Sequence, residues 1–354
     1  MIESLQKPAT KYQQRKWRKF QKETREATAQ RCKQHPEYTL DFKKADLFNF
    51  TYHAVHLRNE KLLNELYEEY ELLAPGDVWF YNQVKLCRAQ LRIHEQKLEE
   101  AILMLKDLAS EKICPNRCHV LMYLIELYEK EKDYKSAAVY VHAYMDNSDR
   151  EYNRKKTWVD FAGLPYFLEI LGMAGEYENV IAIGKDRLDF LKIEDEVWYM
   201  IGLSYLKLGD ELRAMHYFTE AMKLNPEMPE VYVHMADFYW NNKNDFRTAI
   251  DYSLKAVDMC GDDPDFKHLR VMLFRSLANL YKLAHDLNKA GEYRRKQFEA
   301  MDSLSVFDLI VLFGGDKDGM NEYQDWADNH PEAYKDFLGE EGGDEADDLE
   351  GMVD

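Results

Sequence analysis

Residues 195–228 read DEVWYMIGLSYLKLGDELRAMHYFTEAMKLNPEM. Within this window, small and helix-ending residues fall where two antiparallel helices joined by a short turn require them. Gly202 and Ala214 are small enough for the two helices to approach closely. Gly209 suits the turn, and Pro226 closes the second helix because proline cannot continue one. The stretch therefore predicts a helical hairpin.

The same window carries aromatic residues at fixed offsets. Trp198, Tyr205 and Phe218 are expected to fill the space between this hairpin and its neighbours. The full set of matching positions is Trp198, Ile201, Gly202, Tyr205, Ala214, Phe218, Ala221 and Pro226. In these positions the stretch resembles the tetratricopeptide repeat, whose pattern is W-x2-L-G-x2-Y followed by A, F, A and P, with isoleucine here in place of leucine. The resemblance implies stacked hairpins that bind other proteins.

The same period continues on both sides of this window. Repeat frames that begin at residues 161, 195 and 229 are evenly spaced. Weaker frames begin at residues 44, 82, 118 and 271. In the frame at 229, an extra residue is expected to lengthen the turn between the helices at 241–245. Since each hairpin can bury its apolar stripe only against its neighbours, we predict an all-α fold: an α-solenoid (right-handed superhelix) of about seven hairpins with capping helices.

Composition divides the chain into four segments. Residues 1–41 form a basic N-terminal helical extension, and residues 42–302 form the repeat domain, with a possible joint at 146–160 where a polar segment interrupts the period. Residues 303–338 have apolar and aromatic patterns that predict C-terminal capping helices. Residues 339–354 contain eight acidic residues and no basic one, which predicts an acidic disordered tail.

The composition also limits the function classes. The net charge of −18 disfavours general nucleic-acid binding, because phosphates attract Lys and Arg. Five cysteines without framework spacing indicate reduced thiols, and therefore a cytoplasmic location. Residues 1–17 lack the apolar core of a secretory signal, and no apolar run is long enough to span a membrane.

The N-terminal extension allows two interpretations. Residues 1–35 carry ten Lys or Arg against three Glu, and the run that ends at Gln34 consists of good helix formers. Trp17 and Phe20 lie three residues apart on one face of this helix. One interpretation is an arm that contacts nucleic acid or an anionic membrane. The other, which we favour, is a helix that docks through its two aromatic residues onto acidic protein and caps the first repeats.

No catalytic motif is recognisable in the sequence, which lacks GxSxG, a Gly-rich phosphate loop and HExxH. Cys114, Cys118 and His119 lack a fourth metal ligand at recognisable spacing. His53 and His56 lack carboxylate or Cys partners at matched spacing. We therefore expect no enzyme activity, no metal and no cofactor.

In the family that the chain resembles, positions 2, 5, 9 and 12 of each first helix line a concave groove. Carried onto this sequence, the resemblance implies a partner-binding groove that includes Glu126, Glu169, Glu196, Tyr199, Leu203, Glu230, Asp237, Trp240, Arg275 and Asn279. The acidic middle of this set favours a basic or neutral protein segment. Tyr199 and Trp240 would be its aromatic anchors, although Trp240 could instead pack at the end of its helix.

One branch of the family holds acidic C-termini in a carboxylate clamp, with Lys at position 5 and Asn at position 9. Here Tyr199 and Leu203, or Val233 and Asp237, occupy those positions, so the clamp is absent. The sequence thus favours a non-enzymatic scaffold or adaptor that binds a protein segment in the groove. One alternative is a regulatory or chaperone-like protein whose charged termini gate the groove. Another is nucleic-acid contact through the basic N-terminal helix. The oligomeric state is not determined by these patterns.

Overall fold

The computed structural model describes residues 11–151, 158–188 and 194–301, together with Leu304, Asp308 and Leu312. Within these residues the α-helices are α1 (Lys11–Gln34), α2 (Thr39–His56), α3 (Glu60–Leu73), α4 (Val78–His94), α5 (Leu98–Ser110), α6 (Arg117–Lys130), α7 (Tyr134–Glu151), α8 (Trp158–Met173), α9 (Tyr177–Leu188), α10 (Asp195–Lys207), α11 (Glu211–Leu224), α12 (Pro229–Lys243), α13 (Phe246–Cys260), α14 (Lys267–Leu283) and α15 (Leu287–Met301). From α2 onward, the helices of this described part follow one another as seven hairpins. The predicted all-α solenoid of helical hairpins is confirmed.

The chain divides into two compact units, Met1–Ile183 (the N-terminal unit) and Gly184–Asp354 (the C-terminal unit), with the boundary inside α9. In the N-terminal unit, a core cluster around Phe50 joins side chains of α1, α2, α3 and α4. In the C-terminal unit, a cluster around Leu277 joins side chains of α12, α13, α14 and α15. Within each unit a hairpin thus buries its apolar stripe against the next one, as a solenoid requires.

The turns of the seven described hairpins share one backbone feature. Each contains a residue in the left-handed conformation, with φ between 50° and 84°: Arg58, Gln96, Lys132, Gly175, Gly209, Asn244 and His285. In six of these turns the next N–H donates to the carbonyl five residues back, as from Asp210 to Tyr205 at 2.9 Å. For residues other than glycine this conformation costs roughly 1 kcal/mol. Hairpin packing overrides the preference for glycine at five of the seven turns. Glycine occupies the left-handed position in only the other two.

The small residues of the 195–228 window bring its two helices together as predicted. Ala214, Phe218 and Ala221 on α11 are completely buried. Gly202 on α10 faces the Phe218 ring so closely that a Cβ at this position would lie 2.6 Å from two ring atoms. Gly209 occupies the turn with φ +79°, where a side chain would be strained.

The aromatic residues of this window also lie where the pattern predicted. Tyr205 is buried and stacks on Tyr217 with ring centroids 5.4 Å apart. Trp198 is half-buried and contacts the other side of the hairpin through Tyr217, at 5.3 Å between centroids. Pro226 is exposed and follows the end of α11, so it stops the helix without contributing to the core.

One prediction about the connections was wrong. The extra residue of the frame at 229 does not lengthen its turn: α12 has 15 residues where α10 has 13, and only Asn244 and Asp245 separate α12 from α13. The helix continues to Lys243 because Asn244 adopts the left-handed conformation, at φ 50°, that asparagine tolerates better than most residues. The turn is therefore one residue shorter than the three-residue turn of the 195–228 window.

The polar segment that interrupts the period begins in a helix rather than in a turn. Helix α7 continues through Asp146 to Glu151, and residues 152–157 lie outside the described part. The possible joint at 146–160 stays a prediction. Of the segment 303–338, only Leu304, Asp308 and Leu312 are described, and the tail at 339–354 lies outside the described residues. In the described part no helix is long and apolar enough to cross a membrane.

Helix α1 packs against α2 and α3 in the N-terminal unit. Trp17 is buried, meets Phe50 edge-on at 5.2 Å and stacks on His53 at 4.4 Å between ring centroids. Arg25 donates to both carboxylate oxygens of Glu69, at 2.8 and 2.7 Å. Phe20 remains 44% exposed at the edge of this contact. Helix α1 is therefore docked, as we favoured from the sequence, but of the two aromatic residues only Trp17 is buried in the contact.

Candidate functional site

The predicted groove residues of the N-terminal unit gather around one tyrosine. Tyr166 on α8 donates its hydroxyl to Glu129 on α6 at 2.6 Å. Burial, this hydrogen bond and the negative charges of Glu129, Glu126 and Glu169 raise the pKa of Tyr166 far above its ordinary value. Three carboxylates from two successive first helices therefore act on one hydroxyl. We call Glu126, Glu129, Tyr166 and Glu169 the N-terminal site.

Helical spacing produces this arrangement. Glu126 and Glu129 are three residues apart on α6, and Tyr166 and Glu169 are three apart on α8, so each pair shares a face. Glu169 is exposed and the two α6 carboxylates are half-buried, so a partner can reach them. Because the phenol stays protonated, it can donate one hydrogen bond but cannot neutralise the site. A cationic group is its electrostatic complement.

The corresponding face of the C-terminal unit is built on aromatic rings. His234 on α12 stacks on the buried ring of Phe218 at 5.0 Å, and Tyr199 on α10 tilts against the same ring at 5.8 Å. The Tyr199 hydroxyl lies 3.4 Å from His234 Nε2. Burial and the charge of Glu230 raise the pKa of Tyr199 far above its ordinary value. We call Tyr199, Glu230, His234 and Asp237 the C-terminal site.

Burial has opposite effects on the two titratable side chains of α12 in this site. Burial, with the nearby charge of Lys207, lowers the pKa of His234 to about 4, so the imidazole is neutral at pH 7. Burial raises the pKa of Asp237, three residues further along the same face, to about 6. Within the described residues, no hydrogen-bond donor or cation pairs with the Asp237 carboxylate. The cost of burying this charge is therefore uncompensated.

The other predicted groove residues have varied surroundings. Glu196 is exposed in the first turn of α10, and Leu203 is half-buried one turn after Tyr199. Trp240 packs against the core cluster around Leu277, which agrees with the alternative that it stabilises the end of its helix. Arg275 and Asn279 lie one turn apart on α14, half-buried and exposed respectively.

Two residues in these sites were missed by the sequence reasoning. Tyr166 and His234 both occupy position 6 of their frames, which begin at 161 and 229. Each contacts the first helix of the preceding hairpin, Tyr166 through Glu129 and His234 through Tyr199. The family groove positions 2, 5, 9 and 12 omit position 6, although it shares a helix face with position 9. Polar side chains at position 6 in both frames were the available signal.

Comparison with known proteins agrees with the helical-hairpin fold. The sequence model of the family described as tetratricopeptide repeat matches residues 195–228. The Sol locus transcriptional repressor of Clostridium acetobutylicum is 28% identical over 65 residues, which are 18% of this chain and 20% of that protein. The chain thus matches about a fifth of the length of this relative.

The solved structures that match this chain have low sequence identities and low TM-scores. The MamA protein is 14% identical with a TM-score of 0.40, and the match covers 52% of this chain and 92% of MamA. The C-terminal part of a TPR repeat-containing protein from Cytophaga hutchinsonii is 17% identical with a TM-score of 0.30, covering 67% of this chain and 98% of that one. Residues 195–228 thus match a tetratricopeptide repeat, and consecutive helical hairpins lie on both sides of it.

Proposed function

We propose that this chain is a non-enzymatic interaction scaffold that binds a basic protein segment at its N-terminal and C-terminal sites. Repeats of this family act in general as protein-interaction scaffolds. One observation supports the more specific proposal: each unit sets a half-buried tyrosine beside carboxylates of a neighbouring first helix. In the N-terminal site this is Tyr166, and in the C-terminal site it is Tyr199, which faces Glu230.

A Lys or Arg side chain complements both parts of such a site. Its charge offsets the repulsion among the carboxylates, and its aliphatic stem packs on the face of the tyrosine ring. Leu203, half-buried beside Tyr199, adds apolar contact for the neighbouring residue of a bound segment. Among the described residues no three His, Cys, Asp or Glu side chains converge to hold a metal ion. An ammonium or guanidinium group is therefore the cation that we propose.

The test is binding of the full chain to an array of peptides of equal length whose content of Lys, Arg, Asp and Glu is varied. We expect basic peptides to be bound in preference to acidic ones. Glu126→Gln, Glu169→Gln and Tyr199→Ala should each lower the signal several-fold, with salt weakening the binding of the wild type. The matched control is Glu99→Gln, because Glu99 is an exposed carboxylate on α5, a second helix outside both sites.

Equal binding of basic and acidic peptides would contradict the proposal, as would a control variant that loses as much signal as Glu169→Gln. Trp240→Ala gives a further distinction. Because Trp240 packs on the core around Leu277, we expect this change to lower stability more than peptide binding. The alternative in which charged termini gate the groove stays a prediction, since the tail at 339–354 lies outside the described residues.

A further inference from the structure

The first half of α1 carries a cationic surface that the docking of this helix does not use. The segment from Lys11 to Lys22 contains no acidic residue and six basic ones, all exposed: Lys11, Arg15, Lys16, Arg18, Lys19 and Lys22. Lys19 and Lys22 lie 3.7 and 3.8 Å from carboxylates further along the helix, in exposed pairs that contribute little. Within the described residues the other four have no carboxylate in ion-pair distance.

Docking uses different residues of α1. The stripe that faces the body consists of Trp17 and Thr28, both buried, with Gln21 and Thr24 half-buried between them. The basic residues that reach the body are Arg25, which binds Glu69, and Arg31, which lies 3.9 Å from Asp46 and over the ring of Phe42 at 5.3 Å. The sequence suggested that charge attraction in general draws this helix onto the body. In the described part, two arginines in its second half provide that attraction.

The six cations of the first half are arranged as a surface of their own. Lys11, Arg15, Arg18 and Lys22 follow four-three-four spacing, so they form one row about 16 Å long on the helix. At 100° per residue, the six together cover the side opposite the docked stripe. Pairs of like charge at four-residue spacing, such as Lys11 with Arg15, destabilise a helix. Neither docking nor helix stability explains this charge, and an anion outside the unit would complement it.

Three classes of anionic surface are possible, and the structure distinguishes among them. An anionic membrane would take up the apolar stripe of a basic amphipathic helix, but here Trp17 is already buried against α2. An acidic protein interface would need apolar anchors at its centre, and the described side chains of the cationic face between Lys11 and Lys22 are all Lys or Arg, with Phe20 at its margin. Contacts with the phosphates of a nucleic acid need only cationic side chains, so a nucleic acid fits this face better than a membrane or an acidic protein.

We propose that the first half of α1 binds the phosphate backbone of duplex DNA. The major groove of B-DNA is about 12 Å wide and admits an α-helix, whereas that of A-form RNA is too narrow. Arg15 and Arg18 each present a planar fork that suits phosphate oxygens. The body carries most of the net charge of −18, so the contact is confined to α1, weak and independent of base sequence. This binding is separate from the peptide-binding scaffold proposed above.

The experiment measures fluorescence anisotropy of a labelled 20-base-pair DNA duplex with the full chain, between 50 and 200 mM KCl. With about four or five phosphate contacts, the slope of log K against log salt should be about −4. Arg15→Gln, Arg18→Gln and Lys22→Gln combined should weaken binding at 50 mM more than about tenfold and reduce the slope by about 3. Lys130→Gln, Lys135→Gln and Arg247→Gln combined remove the same charge from exposed positions elsewhere, and should change the affinity less than about twofold.

Comparison probes are a duplex RNA of the same sequence and vesicles containing phosphatidylserine. Failure of the DNA duplex to bind at 50 mM KCl overturns the proposal. So does equal weakening by the two triple variants, tighter binding of the RNA duplex, or binding that is seen with vesicles alone. A second variant, Lys11→Gln, Lys16→Gln and Lys19→Gln combined, gives an independent measurement if the first loses its helical circular dichroism. Its binding should also fall more than about tenfold, and unchanged binding overturns the proposal.

Discussion

The N-terminal and C-terminal sites each combine a tyrosine with carboxylates but differ in how their charges are satisfied. In the N-terminal site, Tyr166 donates to Glu129 at 2.6 Å, so one carboxylate has a strong partner within the protein. In the C-terminal site, the hydroxyl of Tyr199 lies 3.4 Å from His234 instead, and no described group pairs with the Asp237 carboxylate. The first site is stabilised before a partner arrives, whereas the second retains an uncompensated burial cost.

This difference predicts that the two surfaces contribute differently to the proposed peptide binding. Burial of the Asp237 charge already costs the folded protein free energy, and a bound cation would remove that cost. A cation at Asp237 should therefore gain more binding free energy than a cation at an exposed carboxylate such as Glu169. The C-terminal site should therefore contribute more to selection of a basic residue, at the expense of its own stability. The N-terminal site should contribute attraction with little effect on stability. The two sites can be separated by mutation.

The largest expected effect is at Gly202, which supports the C-terminal site through Phe218. Gly202→Ala would place a Cβ 2.6 Å from the Phe218 ring, on which Tyr199 and His234 rest. We expect the free energy of unfolding to fall by about 1–3 kcal/mol, with peptide binding lost at the C-terminal site and kept at the N-terminal one. Chemical denaturation followed by tryptophan fluorescence measures the first effect.

The control for this change is Gly291→Ala. A Cβ at Gly291 would have no neighbour within 4 Å, and the residue lies inside α15. Alanine should therefore stabilise that helix by about 0.5–1 kcal/mol. If Gly202→Ala proves as stable as Gly291→Ala, the contact between α10 and α11 is not what holds the C-terminal site.

The next largest effect concerns the internal hydrogen bond of the N-terminal site. Glu129→Ala removes the acceptor of the Tyr166 hydroxyl, and we expect unfolding to become easier by about 1–2 kcal/mol. Repeating the change in a Tyr166→Phe background should reduce that loss, because the unpaired hydroxyl is then absent. Urea denaturation of the four proteins measures the coupling. An identical loss in both backgrounds would show that the hydrogen bond does not distinguish the two sites.

Asp237→Asn should change stability in the opposite direction. The ionised carboxylate is half-buried without a partner in the described part, so its neutral analogue should raise the free energy of unfolding at pH 7 by roughly 1 kcal/mol, after allowance for partial exposure. Binding of basic peptides should weaken at the same time. Glu196→Gln, at an exposed carboxylate on α10, is the control and should leave stability within about 0.5 kcal/mol. A less stable Asp237→Asn protein would show that the carboxylate has a favourable partner.

The smallest effect is the pH dependence of the C-terminal site. The pKa of Asp237 is raised from 3.8 to about 6, so between these values the native state binds more protons than the unfolded state, and stability falls as the pH rises. The pKa of His234 is lowered from 6.5 to about 4, so between these values the unfolded state binds more protons, and stability rises with pH. The two contributions partly cancel between pH 4 and 6.

Difference curves against the wild type separate the two groups. The stability advantage of Asp237→Asn over the wild type should shrink as the pH falls from 7 to 4.5. Over the same range, the stability of a His234→Asn protein should rise relative to that of the wild type. Urea denaturation at pH 4.5 to 7.5 gives both curves. Flat curves for both variants would mean that burial does not shift either group.

The sequence predicted the hairpins correctly where the packing contacts lie within a single repeat. Gly202, Ala214 and Phe218 had to lie together because two helices of one hairpin cross at fixed offsets, and all three are buried. The turn of the frame at 229 was misplaced because helix length depends on whether Asn244 adopts the left-handed conformation. No residue type fixes that choice by itself, as the lysine at 132 and the histidine at 285 show in the other turns.

The sequence alone determined that this protein is a series of helical hairpins with a basic N-terminal helix, because period, residue size and charge are properties of the chain itself. Only the tertiary structure decided that Tyr166 meets Glu129, that Asp237 has no described partner, and that Arg25 docks α1 while Arg15 faces outward. Contacts between successive hairpins depend on how helix faces turn toward one another. A pKa shift depends on the burial that results. Neither the contacts between hairpins nor the pKa shifts can be read from residues that are close in the sequence.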